Sequence, residues 1–128
     1  MIIYSLRCYE VNIQRVAEFA AGFREGGLVY ESFRHFPGHI HTDLLFGIQN
    51  THGCRQLLSI SFYTSIESLL RAENSDEMQA VVRWLQQRMN HCYHLGAFSF
   101  FPTQGLEIVS MEIAGQSCTE FTRSEVQT

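Results

Sequence analysis

The chain has 128 residues, 45% of them hydrophobic and 17% charged, with a formal net charge of -4, proportions that suit one globular domain able to bury its own core. Its nine Lys and Arg residues form no stripe or run that could neutralise phosphates, so no nucleic-acid partner is expected. Cys8, Cys54, Cys92 and Cys118 are far apart with no Cys-x-x-Cys pair, which argues against a disulfide scaffold and a zinc ribbon and for free thiols.

The opening Met1-Ile2-Ile3-Tyr4-Ser5-Leu6-Arg7 lacks a basic region followed by a sustained apolar stretch and a cleavage site, and no apolar run reaches membrane-spanning length. A soluble cytoplasmic protein without membrane contact is the expectation. Ile2 to Tyr9 alternates as a strand, with Ile2, Tyr4, Leu6 and Cys8 on one face and Ile3, Ser5, Arg7 and Tyr9 on the other. Asn12 suits an N-cap for a helix that places Ile13, Val16, Ala17, Ala20 and Phe23 on one face. That helix should break at Gly26-Gly27 and resume through Leu28, Tyr30, Phe33 and Phe36 before Pro37-Gly38.

Two runs of period two follow, His39 to Phe46 and Leu57 to Tyr63, joined by a Gln49–Arg55 turn with Asn50, Thr51 and Gly53, the pattern of an antiparallel hairpin. Alternation puts Ile40, Thr42, Leu44 and Phe46 toward a core and His39, His41 and Asp43 on the opposite face. Thr64-Ser65-Ile66-Glu67 carries a capping-box pattern ahead of a short helix through Leu69 and Leu70. Asn74-Ser75-Asp76-Glu77 repeats it before Met78, Val81, Val82, Leu85 and Met89, the clearest amphipathic helix in the chain. Trp84 lies off that stripe, as a packing or dimer-contact residue would.

His91-Cys92-Tyr93-His94 is expected at the end of this helix, its histidines favourably placed near the C-terminal dipole. Ala97–Phe101 and Leu106–Ile113 read as late strands around the turn Pro102-Thr103-Gln104-Gly105, with Phe98, Phe100 and Phe101 as core and lumen lining. From Gly115 no periodic apolar pattern remains, so the expected organisation is a domain over 1–114 and a polar tail over 115–128.

Strand, helix, strand, strand, helix, strand is the α+β, ferredoxin-like split βαβ order, an antiparallel sheet with helices on one face. Alternation assigns the uncovered face Ser5, Arg7, His39, His41, Asp43, Leu45, Leu57, Ser59, Ser61 and Tyr63. That face is too apolar in places for plain solvated surface, and a homodimer would protect it.

Phe36-Pro37-Gly38 leading into a strand, the run Leu58-Ser59-Ile60-Ser61-Phe62-Tyr63-Thr64-Ser65-Ile66-Glu67-Ser68-Leu69, and Ser75-Asp76-Glu77 together resemble the antibiotic biosynthesis monooxygenase family of dimeric α+β barrels, over about residues 1 to 113. The resemblance implies a homodimeric barrel and a small-molecule aromatic or quinol-like ligand oxidised with no cofactor and no metal. Tyr63 stands where the family often has Trp. Haem-degrading members use Asn, Trp and His at places where this chain has Ser5 or Arg7, Ala72 and Val82, so haem degradation is not expected.

Three polar side chains in a row, His39, His41 and Asp43, about 7 Å apart, could supply a base toward a phenol, with Asp43 orienting a histidine. The same set could bind a divalent metal, or its members could hydrogen-bond across a dimer seam. Arg7 and Tyr63, with Ser59 and Ser61 beside them, would then position oxygen-bearing groups of a substrate. The rival reading is a non-catalytic small-ligand-binding or structural barrel protein with the histidines structural, and the lack of a phosphate loop, nucleophile elbow or dinucleotide fingerprint removes support for hydrolase, kinase and nicotinamide-dependent readings.

Overall fold

Alternating apolar residues produce four long strands in the computed structural model, which describes residues 2–99 and the strand pairs at 108–109, 112–113, 116–117 and 121–122. They are β1 (Ile3–Asn12), β2 (His39–Thr51), β3 (Cys54–Tyr63) and β4 (His91–Ser99), all antiparallel to their neighbours in the order β2-β3-β1-β4. This is the ferredoxin-like order expected from the sequence. Ile108–Val109 pairs with Phe121–Thr122, and Glu112–Ile113 with Gln116–Ser117, so strand pairs occur beyond Gly115 where no pattern foretold them. The expected turn at Pro102–Gly105 lies outside the described residues, as do Phe100 and Phe101.

After β1, the Asn12 side chain accepts from the Gln14 amide and starts a single 3-10 turn, Ile13–Arg15, which runs into α1 (Val16–Ala21). The helical path breaks over the glycines and resumes as α2 (Leu28–Phe33). The β2–β3 turn is tighter than expected: Thr51 pairs with Cys54, leaving His52 and Gly53 alone at the tip with φ of 52° and 75°. Positive φ at both central residues is what a type I′ hairpin requires.

The capping box lies one residue later than the sequence pattern suggested. Ser65 caps α3 (Ile66–Glu73), its side chain accepting from the Ser68 amide while Ser68 Oγ accepts from the Ser65 amide. Ser75 does the same for the Met78 amide at the start of α4 (Asp76–Gln86). Replacing Ser65 with alanine leaves that amide unpaired and is expected to cost about 1 kcal/mol, read as a lower urea midpoint at unchanged slope.

The four helices lie on one side of the sheet and close the core over Ile3, Val11, Phe19, Val29, Leu57, Tyr63 and Val81, all essentially inaccessible to solvent. Trp84 packs against this core at its edge, its ring so close to Gly22 that a Cβ there would approach within 2.3 Å. Arg88 stacks on the outer side of the indole, 4.1 Å from the centroid. Helix α4 ends before the histidines because the chain there pairs with β1: the Asn90 amide donates to the Glu10 carbonyl and His91 begins β4. His91 and His94 are therefore strand residues, correcting the helix-end reading. Among the described residues no helix is long and apolar enough to cross a membrane.

Candidate functional site

The register decides which side chains meet, and one irregularity in β2 reorders the expected site. His39 pairs with Tyr63 and His41 with Phe62, making Ile40 the extra residue of a bulge. A bulge flips the alternation beyond it. His39 therefore shares the helix-covered face with Thr42 and Leu44, while His41, Asp43 and Leu45 point to the open face. The row His39, His41, Asp43 does not exist on one face, and Asp43 hydrogen-bonds His41 rather than His39.

The same register corrects the assignment of β1 and β3. Ser5, Arg7, Leu57, Ser59, Ser61 and Tyr63 lie under the helices, not on the open face. Ser5, Arg7, Tyr9, Ser59, Ser61 and Tyr63 line a small chamber closed by Val29, Phe33, Glu73, Met78 and Leu85. Its free volume is about 10 Å³, space for about one water. Polar residues survive there because they satisfy one another: the Tyr9 hydroxyl and Ser59 Oγ are 3.0 Å apart, Ser5 Oγ is 3.3 Å from His94 Nε2, and Arg7 pairs with Glu73. Burial pushes the Tyr9 phenol up to about 12 and raises that of Tyr63 further. It also raises the Cys92 thiol and lowers His94, with Arg7 second on the latter.

Beside the chamber, between α2 and the start of β2, an open groove of about 410 Å³ is lined by Phe23, Val29, Tyr30, Phe33, His39, Ile40 and Thr42, with His41, Arg24, Glu25 and Arg34 also on it. This volume falls in the range of small-molecule sites. His39 is half-buried in it, edge-on to the rings of Phe33 and Tyr63 at 5.4 Å each. Its Nε2 lies 2.7 Å from Thr42 Oγ1, which lies 2.9 Å from Ser61 Oγ. Burial first, and the neighbouring His41 second, hold its pKa down at about 4.

No protein-family model matches the chain, and no curated protein does. Solved structures do. A point mutant of SnoaB, a cofactor-independent oxygenase from Streptomyces nogalater, aligns with TM-score 0.62 at 18% identity over 81% of this chain and 97% of its own. A candidate antibiotic biosynthesis monooxygenase from Caulobacter crescentus aligns with TM-score 0.60 at 17% identity over 79% and 91%, and one from Nitrosomonas europaea with 0.60 at 11% over 77% and 89%. The chain has the antibiotic biosynthesis monooxygenase fold.

The open sheet face of this monooxygenase fold carries Tyr4, Leu6 and Cys8 from β1, Leu58, Ile60 and Phe62 from β3, Leu45 from β2, and Tyr93 and Phe98 from β4. His41 stacks on Phe62, 5.8 Å between centroids and 7° from parallel. Among the described residues no group of three His, Cys, Asp or Glu side chains is placed to hold a metal ion. Sequence reasoning missed Glu73, which continues the polar face of α3 without any marker, and the groove role of Phe23, Tyr30 and Phe33, which helical spacing presents only as core.

The His39 environment has a consequence for the stability of this fold. An unfolded histidine titrates near 6.5 and the folded His39 at about 4, so between those values the unfolded chain binds a proton that the folded chain refuses. The stability due to a neutral His39 is whole above about pH 6.5 and declines as pH falls toward 4. Urea unfolding at pH 7.5 and 4.5 should show this loss, and His39→Gln should shrink it.

Proposed function

We propose that the protein is a cytoplasmic, homodimeric, cofactor-independent monooxygenase acting on a small aromatic or quinol-like compound, with His39 as the base. The observation that carries this reading is a half-buried imidazole, neutral at pH 7, on the wall of an aromatic-lined groove of ligand size. The likeness to a cofactor-independent oxygenase supports it at the level of fold.

In this reading the aromatic ring lies against Phe33 and Tyr30, and His39 takes the phenolic proton. The phenolate so formed is an opposite charge beside the ring, which raises the proton affinity of the imidazole as the transfer proceeds. The electron-rich anion then reacts with dioxygen: one oxygen atom enters the ring at a C–H carbon and the ring becomes a hydroxyquinone, while the other oxygen leaves as water with two of the quinol's hydrogens, so that quinol and O₂ give hydroxyquinone and H₂O. Thr42 and Ser61 hold the far nitrogen of His39 and fix the ring's orientation. Asp43 leaves the catalytic set, and His41, hydrogen-bonded to it, stays on the groove as a lining residue and not as the base. Arg7, Ser59, Ser61 and Tyr63 remain substrate-side groups only through the chamber behind Phe33.

The test is oxygen consumption with a naphthohydroquinone as a function of pH. Because kcat/KM reports the free enzyme, it should stay flat from pH 7 down to about 5 and fall only as pH approaches 4. An inflection near 6.5 would mean a solvated histidine and would remove His39 as the buried base. The closed chamber of about 10 Å³ favours the second reading, a ligand-binding protein without catalysis. Tight binding of the probe with no oxygen uptake would select it.

A further inference from the structure

The outer groove and the inner chamber share one wall. Val29 and Phe33, the two buried residues of α2, line both. On the groove side the wall meets His39. On the chamber side it faces Arg7, Tyr63 and the carboxylate of Glu73.

The Arg7–Glu73 pair is unusual in its setting. Their side chains are only 17% and 24% exposed, so both charges are largely desolvated and Arg7 needs a carboxylate partner. Glu73 is the last residue of α3, where the helix presents carbonyl oxygens and an anion is disfavoured by the dipole. Arg7, not its own helix, holds that carboxylate in place. Beside it the hydroxyls of Tyr63, Ser59 and Tyr9 line the same space. A planar carboxylate is the group that matches a guanidinium fork. Glu73 occupies that place and can swing toward solvent from a helix end.

We propose that the chamber is the acid-end subsite of the ligand site: the ligand is a phenolic aromatic acid whose ring lies in the groove against His39, and whose carboxylate passes between Val29 and Phe33 to replace Glu73 on Arg7. This rests on the aromatic-ligand reading above. The exchange is one carboxylate for another, so the departing Glu73 vacates the volume its replacement needs. Phe33 must turn away for the passage to open. Its ring contacts Phe36 and His39, each 5.4 Å centroid to centroid, and α2 is only six residues long, preceded by Gly26 and Gly27.

The experiment is equilibrium binding of two redox-stable probes, α-naphthol and the same ring bearing a carboxylate para to the hydroxyl, to the wild-type protein, Glu73→Gln, and the double variant Arg7→Gln/Glu73→Gln. In the wild-type protein the acid and the naphthol should bind within a few-fold of each other, because the acid must displace Glu73 from Arg7. Glu73→Gln should bind the acid about tenfold more tightly than the wild-type protein does, the scale of one charge-assisted contact, and leave the naphthol unchanged, an outcome that a merely structural ion pair would not produce. The double variant keeps no lone charge in the chamber and should lose the preference while still binding naphthol. Equal affinities for the two probes in Glu73→Gln, or a preference for the acid that survives in the double variant, overturn the acid subsite and leave the aromatic groove standing. If neither probe binds, the groove reading falls and the subsite with it.

Discussion

Replacing His39 with alanine is expected to lower oxygen consumption with a naphthohydroquinone by about 10²–10⁴-fold, the usual contribution of a positioned general base. His39 is the imidazole that both borders the groove and is held by a hydroxyl pair, Thr42 then Ser61. His39→Gln should fall almost as far, since an amide can hydrogen-bond Thr42 yet cannot take the phenolic proton. The loss should appear in kcat rather than KM, because the ring packing that holds a ligand comes from Phe23, Tyr30 and Phe33. His41→Ala is the comparison variant. It lies past the bulge, hydrogen-bonded to Asp43, and also lines the groove beside His39, but without the hydroxyl pair that orients His39 its loss should lower the rate by less than about tenfold. A His39 variant with unchanged oxygen uptake would end the base assignment, and a loss shared equally by His41 would mean that the bulge does not separate them in function.

That separation is not readable from the chain. Period-two alternation assumes a regular strand, and nothing in His39-Ile40-His41 marks Ile40 as the extra residue. The element order, the helix break at the glycines and the sheet topology are legible because each rests on a strong local signal: caps, turn glycines and long apolar periodicities. The assignment of faces fails for a different reason. Both sides of β1 and β3 mix apolar and polar residues, so the rule that apolar faces the core gives no unique answer. The covered face contains Ser5, Arg7, Ser59 and Ser61, which pair with His94, Glu73, Tyr9 and Thr42 from other parts of the chain. The open face contains Tyr4, Leu6, Leu58, Ile60 and Phe62. Long-range pairing makes the polar side habitable inside, and local pattern cannot see a partner 50 or 66 residues away. The candidate residues are thus regrouped by the fold: His39 borders one compartment, Arg7, Ser59, Ser61 and Tyr63 line its neighbour, and His41 with Asp43 lies across the sheet.

In the proposed homodimer, Leu58→Asp is expected to convert the two-chain particle into a single chain, measured as molar mass by sedimentation equilibrium at micromolar concentration. Leu58 lies opposite Cys8 on one neighbouring strand and Leu45 on the other, at the apolar centre of a face that also carries exposed Leu95 and Tyr93, each 51% accessible. An apolar surface of this extent is stable in water only when something covers it, and a two-fold related copy offers the same surface in return. Placing a carboxylate at its centre, twice across the two-fold axis, leaves two like charges desolvated and unpaired, a penalty of several kcal/mol or about 10²-fold or more in association. Leu58 is only half-buried in the single chain, so the folded subunit should survive, which a urea midpoint would verify. Ile48→Ser at the hairpin end is the matched control: that side chain is 94% exposed, lies away from the centre of the face, and should leave the mass unchanged. Leu58 is not among the residues that line the His39 groove, so the monomeric variant should still bind an aromatic probe. A wild-type protein that sediments as one chain would overturn the homodimer directly. A Leu58→Asp variant that stays paired would move the interface off this face, and the apolar residues there would need another explanation.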